Sequence, residues 1–203
     1  MENKLVPQGE IGKSNNLQHE ITLDTVDLAK IAFERASKRL LNPLLWHKLA
    51  GVASAEFEVI DSQGALQQKI IETGDYLKIK ILGPASNIGD GYDWIKVEKI
   101  EKITSISQEE EYCGIKLRAS SPPFTNETAH FFKETATSSF IIQRKKNTIT
   151  ASYHGRNEVP NTSTGNTIDN MRNLMVAAGA TAGLSELQWV ALLKGFLKDE
   201  NGE

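Results

Sequence analysis

The chain lacks the residues that mark several classes of protein. Its 203 residues include a single cysteine, Cys113, which excludes an internal disulfide and cannot alone supply a cysteine-rich zinc site. No run approaches the roughly 18 apolar residues of a membrane-spanning helix. No apolar segment follows a basic start, so the sequence predicts neither a membrane protein nor a secreted one. With one thiol in the chain, a reducing, cytoplasmic compartment is the simplest expectation.

An excess of one charge is also missing. Lys and Arg number 23 against 26 Asp and Glu, a net charge of −3, which argues against a surface-wide footprint for nucleic acid or anionic membrane. A local excess of cations with interleaved aromatics lies between Ala129 and Asn157, as in single-strand nucleic-acid surfaces. A soluble hairpin tip beside core aromatics explains the same pattern, and we favour that interpretation. Nucleic acid is therefore not an expected partner.

Common catalytic motifs are absent as well. The chain has no Walker loop, no Gly-x-Ser-x-Gly elbow and no His-Glu-x-x-His pair. Cys113 lies within a predicted strand, which is typical of packing rather than of a nucleophile. His47 and His130 are expected to be hydrogen-bonded structural residues. The sequence therefore predicts no catalytic residue, no metal ligand and no cofactor.

What the sequence contains is a change of periodicity along the chain. Residues 1–19 are polar and are predicted to be a flexible tail. Residues 20–51 are predicted to be helical, with a helix from Asp24 to Leu41, capped by Thr22 or Asp24, and a short one after Pro43. The apolar stripe of the first helix consists of Val26, Ala29, Phe33, Ala36 and Leu40.

Residues 54–155 alternate apolar and polar side chains with period two, which predicts about seven strands. Residues 167–199 return to helical spacing, with Met171, Leu174 and Met175 on one face. We expect one α+β domain over residues 20–200: a strongly bent antiparallel sheet or partial β-barrel flanked by N-terminal and C-terminal helices.

The order of elements resembles that of the START-like, helix-grip proteins. The resemblance rests on Ile21-Thr22, the helix that follows, the segment Asn42–His47, the strand from Ala53 to Ile60 and a final helix. It implies a curved antiparallel sheet around a long C-terminal helix, with an apolar cavity between them for a small molecule. No site residue is carried over from that family.

The most distinctive cluster is the segment Gly89–Trp94, a loop with two glycines that presents two carboxylates beside two aromatic rings. This combination is typical of a surface that binds a polar ligand or a peptide. The alternative is a connection between strands whose aromatic rings point into the core. The binding residues predicted in this loop are Asp90, Tyr92, Asp93 and Trp94.

A second cluster follows the last predicted strand. His154 has the chemistry of a base near neutral pH, and Arg156 that of a ligand for carboxylate or phosphate. In the alternative interpretation, Arg156 and Glu158 simply pair with their neighbours at a polar strand end. We predict that His154, Arg156 and Glu158 share one binding surface with the loop Gly89–Trp94, provided that the strands before the two segments run in the same sense.

These observations favour a soluble binding or interaction module with no evident catalytic constellation, acting on an unknown protein or small molecule. The alternative is a START-like binder or enzyme with an interior cavity lined by groups such as Phe57, Trp94 and Tyr153. A filled core would favour the first interpretation and a buried void the second. Apolar residues on the terminal helices leave both a monomer and a homodimer open.

Overall fold

All seven predicted stretches of period-two sequence form strands, and an eighth strand precedes them. The computed structural model describes residues 5–51, 54–81, 89–105, 109–162, 164, 167–181 and 184–199. The strands are β1 (Lys13–Thr22), β2 (Glu56–Ile60), β3 (Leu66–Gln67), β4 (Tyr76–Lys80), β5 (Asp93–Ser105), β6 (Glu110–Ala119), β7 (Thr137–Lys145) and β8 (Thr148–Glu158). The helices are α1 (Val26–Leu40), α2 (Trp46–Ala50), α3 (Thr167–Thr181) and α4 (Leu184–Leu197), with a 3-10 turn over Pro43–Leu45.

The eight strands form one antiparallel sheet in the order β1-β8-β7-β6-β5-β4-β2-β3. With four helices around it, the predicted α+β architecture is confirmed. Within the described ranges, no helix has the length and hydropathy needed to cross a membrane.

The sheet curves around its helices. β1 lies at one edge and contacts α4, whereas β2 lies near the other edge and contacts α2. Because α2 and α4 also contact each other, both ends of the sheet bend toward the same helical layer. A register shift between Val97 and Lys99 in β5 adds a bulge, which increases local bending. The predicted strong bend is therefore confirmed.

Aromatic rings pack against one another on the concave face. Trp46 of α2 packs on Phe57 and Phe140, with ring centroids 5.1 Å and 5.2 Å apart. Trp189 of α4 stacks on Tyr153 of β8 at 5.2 Å. These side chains come from both helical regions and from the sheet, so a single core joins the first third of the chain to its last helix.

The predicted flexible tail over residues 1–19 is wrong for most of the part that the structure describes. Lys13–Thr22 pair with β8 as the edge strand β1. Leu5 is fully buried, and its carbonyl oxygen accepts a 2.6 Å hydrogen bond from the Ser139 hydroxyl. The segment escaped prediction because β1 is mostly polar: its outer side faces solvent, and only every second residue is partly covered.

The start of α1 also differs from the prediction. Thr25 caps the helix by accepting a 3.2 Å hydrogen bond from the Leu28 backbone N–H. Thr22 is instead the last residue of β1, so the region predicted as helical from residue 20 begins with strand. The acidic first turn and basic last turn, Asp27 and Lys38-Arg39, are as expected for a helix dipole.

Candidate functional site

An open groove of about 520 Å³ lies on the convex face of the sheet, opposite the main core. Two of the predicted residues, Asp90 and Trp94, line it. The remaining wall comes from the turn after β2 and from the loop between β6 and β7. Its lining residues are Ile60, Gln63, Gly64, Gly89, Asp90, Trp94, Pro122, Pro123, Phe124, Thr125 and Glu127.

The floor of the groove is apolar and fixed in place. Trp94 packs with Ile60 and Ala129 in a small cluster that is separate from the main core. Its indole Nε1–H donates a 3.2 Å hydrogen bond to the Gly89 carbonyl. A side chain at Gly89 would lie 2.7 Å from the Ala129 Cβ and 2.9 Å from the Trp94 ring, and φ there is 72°. Only glycine fits this close approach.

The rim of the groove carries an exposed aromatic ring. Phe124 follows Pro122-Pro123, adopts a φ of 68° and is 81% exposed. The turn that presents Phe124 is closed by a 3.2 Å bond from the Thr125 N–H to the Pro122 carbonyl and a 2.8 Å bond from the Ser121 hydroxyl to the Thr125 carbonyl. A large ring held outward on a braced turn is typical of a contact residue rather than of core packing.

The groove is acidic. Asp90 and Glu127 are both exposed, and no Lys, Arg or His is among the lining residues. Within the part of the chain that the structure describes, neither carboxylate belongs to an ion pair. The nearby Lys78 Nζ lies 3.8 Å from the centre of the Tyr92 ring, so that ammonium is engaged with the aromatic face. The groove therefore combines an apolar floor with a negative rim.

Asp93 points the opposite way, toward the concave side. Its carboxylate is fully buried and forms a bidentate ion pair with Arg172 of α3. The Arg172 Nη1 lies 3.0 Å from the Asp93 Oδ1. It also accepts a 3.0 Å hydrogen bond from the Phe131 N–H. Asp93 thus fixes α3 and the loop before β7 to the start of β5. The sequence did not predict the role of Arg172, because no spacing pattern links Arg172 to Asp93.

His130 lies against this ion pair. Its Nδ1 accepts a 2.9 Å hydrogen bond from the Phe132 N–H, and its ring stacks on Phe131 at 4.2 Å. Burial lowers the pKa of His130 to about 4, with Arg172 acting in the same direction and Asp93 opposing it. These contacts agree with the hydrogen-bonded structural role expected for His130.

His154 and Arg156 lie on the convex side of β8. Both bond to Asn16 of β1: His154 Nδ1 and the Arg156 guanidinium each lie 2.7 Å from the Asn16 Oδ1. Burial, with the neighbouring Arg156, lowers the pKa of His154. These contacts fasten the edge strand to β8.

Glu158 is turned inward. The Tyr153 hydroxyl donates a 3.1 Å hydrogen bond to its Oε1, and the Ser138 hydroxyl lies 3.3 Å from the same phenol oxygen. Burial raises the pKa of Glu158, and burial with the Glu158 charge raises that of Tyr153. A cavity of about 20 Å³ adjoins the group, large enough for about one water. Gly155 makes the arrangement possible, since a Cβ there would meet the Glu158 carboxylate.

The structure separates the predicted residues into four places: the groove, the ion pair with Arg172, the contacts with Asn16 and the inward position of Glu158. β4 and β8 run in the same sense, so the loop after β4 and the end of β8 lie at the same end of the sheet. β5, β6 and β7 separate β4 from β8, however, and Asp93 and Arg156 face opposite sides of the sheet. Asp90 and Trp94 share the groove, with Tyr92 packed against the same small cluster. Phe124 and Glu127 were missed because they come from a distant loop.

No protein-family model and no curated protein matches the chain. Among solved structures, a truncated norcoclaurine synthase from Thalictrum flavum is 11% identical, with 96% of this chain and 100% of that chain covered and a TM-score of 0.39. The major latex-like protein 151 from Panax ginseng is 10% identical over 84% of this chain and 98% of its own, with a TM-score of 0.35. Protein Ms6760 from Mycobacterium smegmatis is 13% identical over 91% and 96%, with a TM-score of 0.37. Likenesses this distant carry no argument about ligand or activity.

Proposed function

We propose that the protein is an interaction module that binds a short basic and apolar segment of a partner protein in the convex groove. One observation carries the proposal: an apolar floor is bordered by two carboxylates that lack an ion-pair partner among the described residues. An apolar side chain on the floor and a Lys or Arg at the rim would satisfy both features together.

The shape of the groove supports a segment of chain rather than an enclosed small molecule. The groove is open, and its rim holds Phe124 in solvent, where a ring is available to a partner. Over the described residues, the concave face is occupied by interlocked rings such as Trp46, Phe140 and Trp189. Packing of this kind supports an interaction module rather than a binder with an interior cavity.

The test uses a defined peptide, acetyl-Arg-Leu-Phe-Arg-amide, titrated into the ¹⁵N-labelled protein and followed by NMR. We expect the Trp94 indole N–H signal and the Gly89 and Gly91 amide signals to shift. The Trp46 indole, which donates to the Arg39 carbonyl in the core, is an internal reference and stays fixed. The acidic analogue acetyl-Glu-Leu-Phe-Glu-amide is expected to bind at least about tenfold more weakly.

Two double variants separate the groove from general charge. Asp90→Asn with Glu127→Gln keeps the shape but removes both rim charges, and we expect the basic peptide to bind about tenfold more weakly. Asp24→Asn with Glu34→Gln removes two exposed charges near α1 and is expected to leave binding unchanged. Equal binding of both peptides, or equal loss in both double variants, contradicts the proposal.

A further inference from the structure

Helix α3 buries its polar side and exposes its apolar side. Arg172 and Asn173 are almost fully buried, as is Ala177. Arg172 binds Asp93, and the Asn173 side-chain amide donates a 2.9 Å hydrogen bond to the Asn161 carbonyl. The opposite side carries large apolar side chains that are 53% to 69% exposed: Ile168, Met171, Leu174 and Met175.

The position of α3 explains this orientation. α3 packs at the end of the sheet where β5 begins, and there Asp93 and the backbone carbonyl of Asn161 need hydrogen-bond donors. Burying these groups without partners would cost more than exposing a methionine or a leucine. The polar side of α3 therefore turns inward, and the apolar side that sequence periodicity marks is left in solvent.

The exposed side of α3 carries no charge over residues 167–177. Its only ionisable residues there, Asp169 and Arg172, are buried. Ile168, Met171 and Met175 are spaced by three and four residues, the spacing of a seam between two packed helices. A membrane surface would call for basic residues beside such a stripe, and this side of the helix has none.

We propose that this α3 face (Ile168, Met171, Leu174 and Met175) is the interface of a homodimer, in which α3 packs antiparallel against α3 of a second copy. An uncharged apolar face is complementary to itself, and two-fold symmetry places Ile168 opposite Met175 of the copy, with Met171 near the axis. The patch is on the order of several hundred Å², the upper range for a monomer. A stable interface buries roughly 800 Å² per partner, so we expect residues that flank this face to contribute as well.

Sedimentation velocity between about 1 µM and 500 µM tests the proposal on the full chain. We expect a monomer–dimer equilibrium, and Met171→Lys, which places like charges near the axis, to weaken dimerisation by about a hundredfold. The matched control is Ile31→Lys on the exposed side of α1, where Ile31 is 63% exposed. The control is expected to dimerise like the unmodified chain.

A second variant locates the interface even if lysine affects folding. Met171→Cys is expected to form an intermolecular disulfide under mild oxidation, because the two copies meet at that residue. Ile31→Cys is expected to remain monomeric on a denaturing gel, and the native Cys113 is buried. A monomer at every concentration overturns the proposal. So does a dimer that survives Met171→Lys, or one that Ile31→Lys dissociates.

Discussion

At the scale of single residues, several buried ionisable groups make structural contacts. Asp93 and Arg172 form a buried pair that attaches α3 to the sheet, and His130 packs beside them as a neutral acceptor. The sequence predicted Asp93 as a binding residue at the surface, because a carboxylate in a glycine-rich loop usually faces solvent. The alternation of β5 turns it inward instead, with Ile95.

His130 makes stability depend on pH. Its pKa is about 4 in the folded protein and about 6.5 in an unfolded chain, so between these values the unfolded state binds more protons. Stability contributed by the neutral histidine is therefore present above pH 6.5 and is lost as the pH falls toward 4. Between pH 7 and pH 4.5, we expect a loss of about 2–3 kcal/mol that His130→Gln lacks.

Urea unfolding at the two pH values measures this difference directly. Glutamine retains an acceptor for the Phe132 N–H, so the comparison isolates the proton. His19→Gln, at a partly exposed position on β1, is the matched control and is expected to follow the unmodified protein. An equal loss in the unmodified protein and in His130→Gln would exclude this role for His130.

At the scale of elements, the N-terminal segment packs along the convex face. Leu5 lies over Gly114 of β6: a Cβ there would be 2.5 Å from the Leu5 Cδ1 and 2.9 Å from the Tyr112 hydroxyl oxygen. We expect Gly114→Ala to destabilise the protein by about 1–3 kcal/mol, because the added methyl displaces a buried side chain.

A double-mutant cycle with Leu5→Ala tests the contact. In that background the added methyl enters vacated space, and we expect Gly114→Ala to cost at least about 0.5 kcal/mol less than in the unmodified chain. Chemical denaturation of the four proteins gives the coupling energy. Strictly additive effects would mean that Leu5 does not occupy this position in solution.

The sequence pattern predicted most helices and strands, but it did not predict which elements they contact or which of their sides face solvent. Alternation identified the strands β2 to β8, because one side of each faces the core. β1 was missed because it is mostly polar, and its partner, β8, lies more than a hundred residues away. Spacing found the apolar stripe of α3 but not its exposure, which depends on Asp93. The sequence predicted Asp90 and Trp94 of the groove. It did not predict Phe124, which comes close to them only when the loop between β6 and β7 folds.

At the scale of the whole molecule, a single core draws on α1, α2, the sheet and α4. We therefore expect the protein to unfold in one cooperative step, as predicted for a single domain. Thermal unfolding at a fixed protein concentration, followed by tryptophan fluorescence and far-ultraviolet circular dichroism, should give coincident curves. For 203 residues the calorimetric enthalpy near 60 °C should be roughly 140 kcal/mol. Two separated transitions would contradict a single domain.

The pairing of the first strand with the last has a consequence for the order of folding. Thr22 faces Thr148 across the β1–β8 ladder, so a loop of more than a hundred residues closes when the two strands meet. During synthesis, β1 leaves the ribosome before β8, so its backbone groups have no strand partner until β8 is made. The strands β4 to β7, in contrast, each pair with the next strand along the chain. We therefore expect the hairpins to assemble first and β1 to join the sheet last.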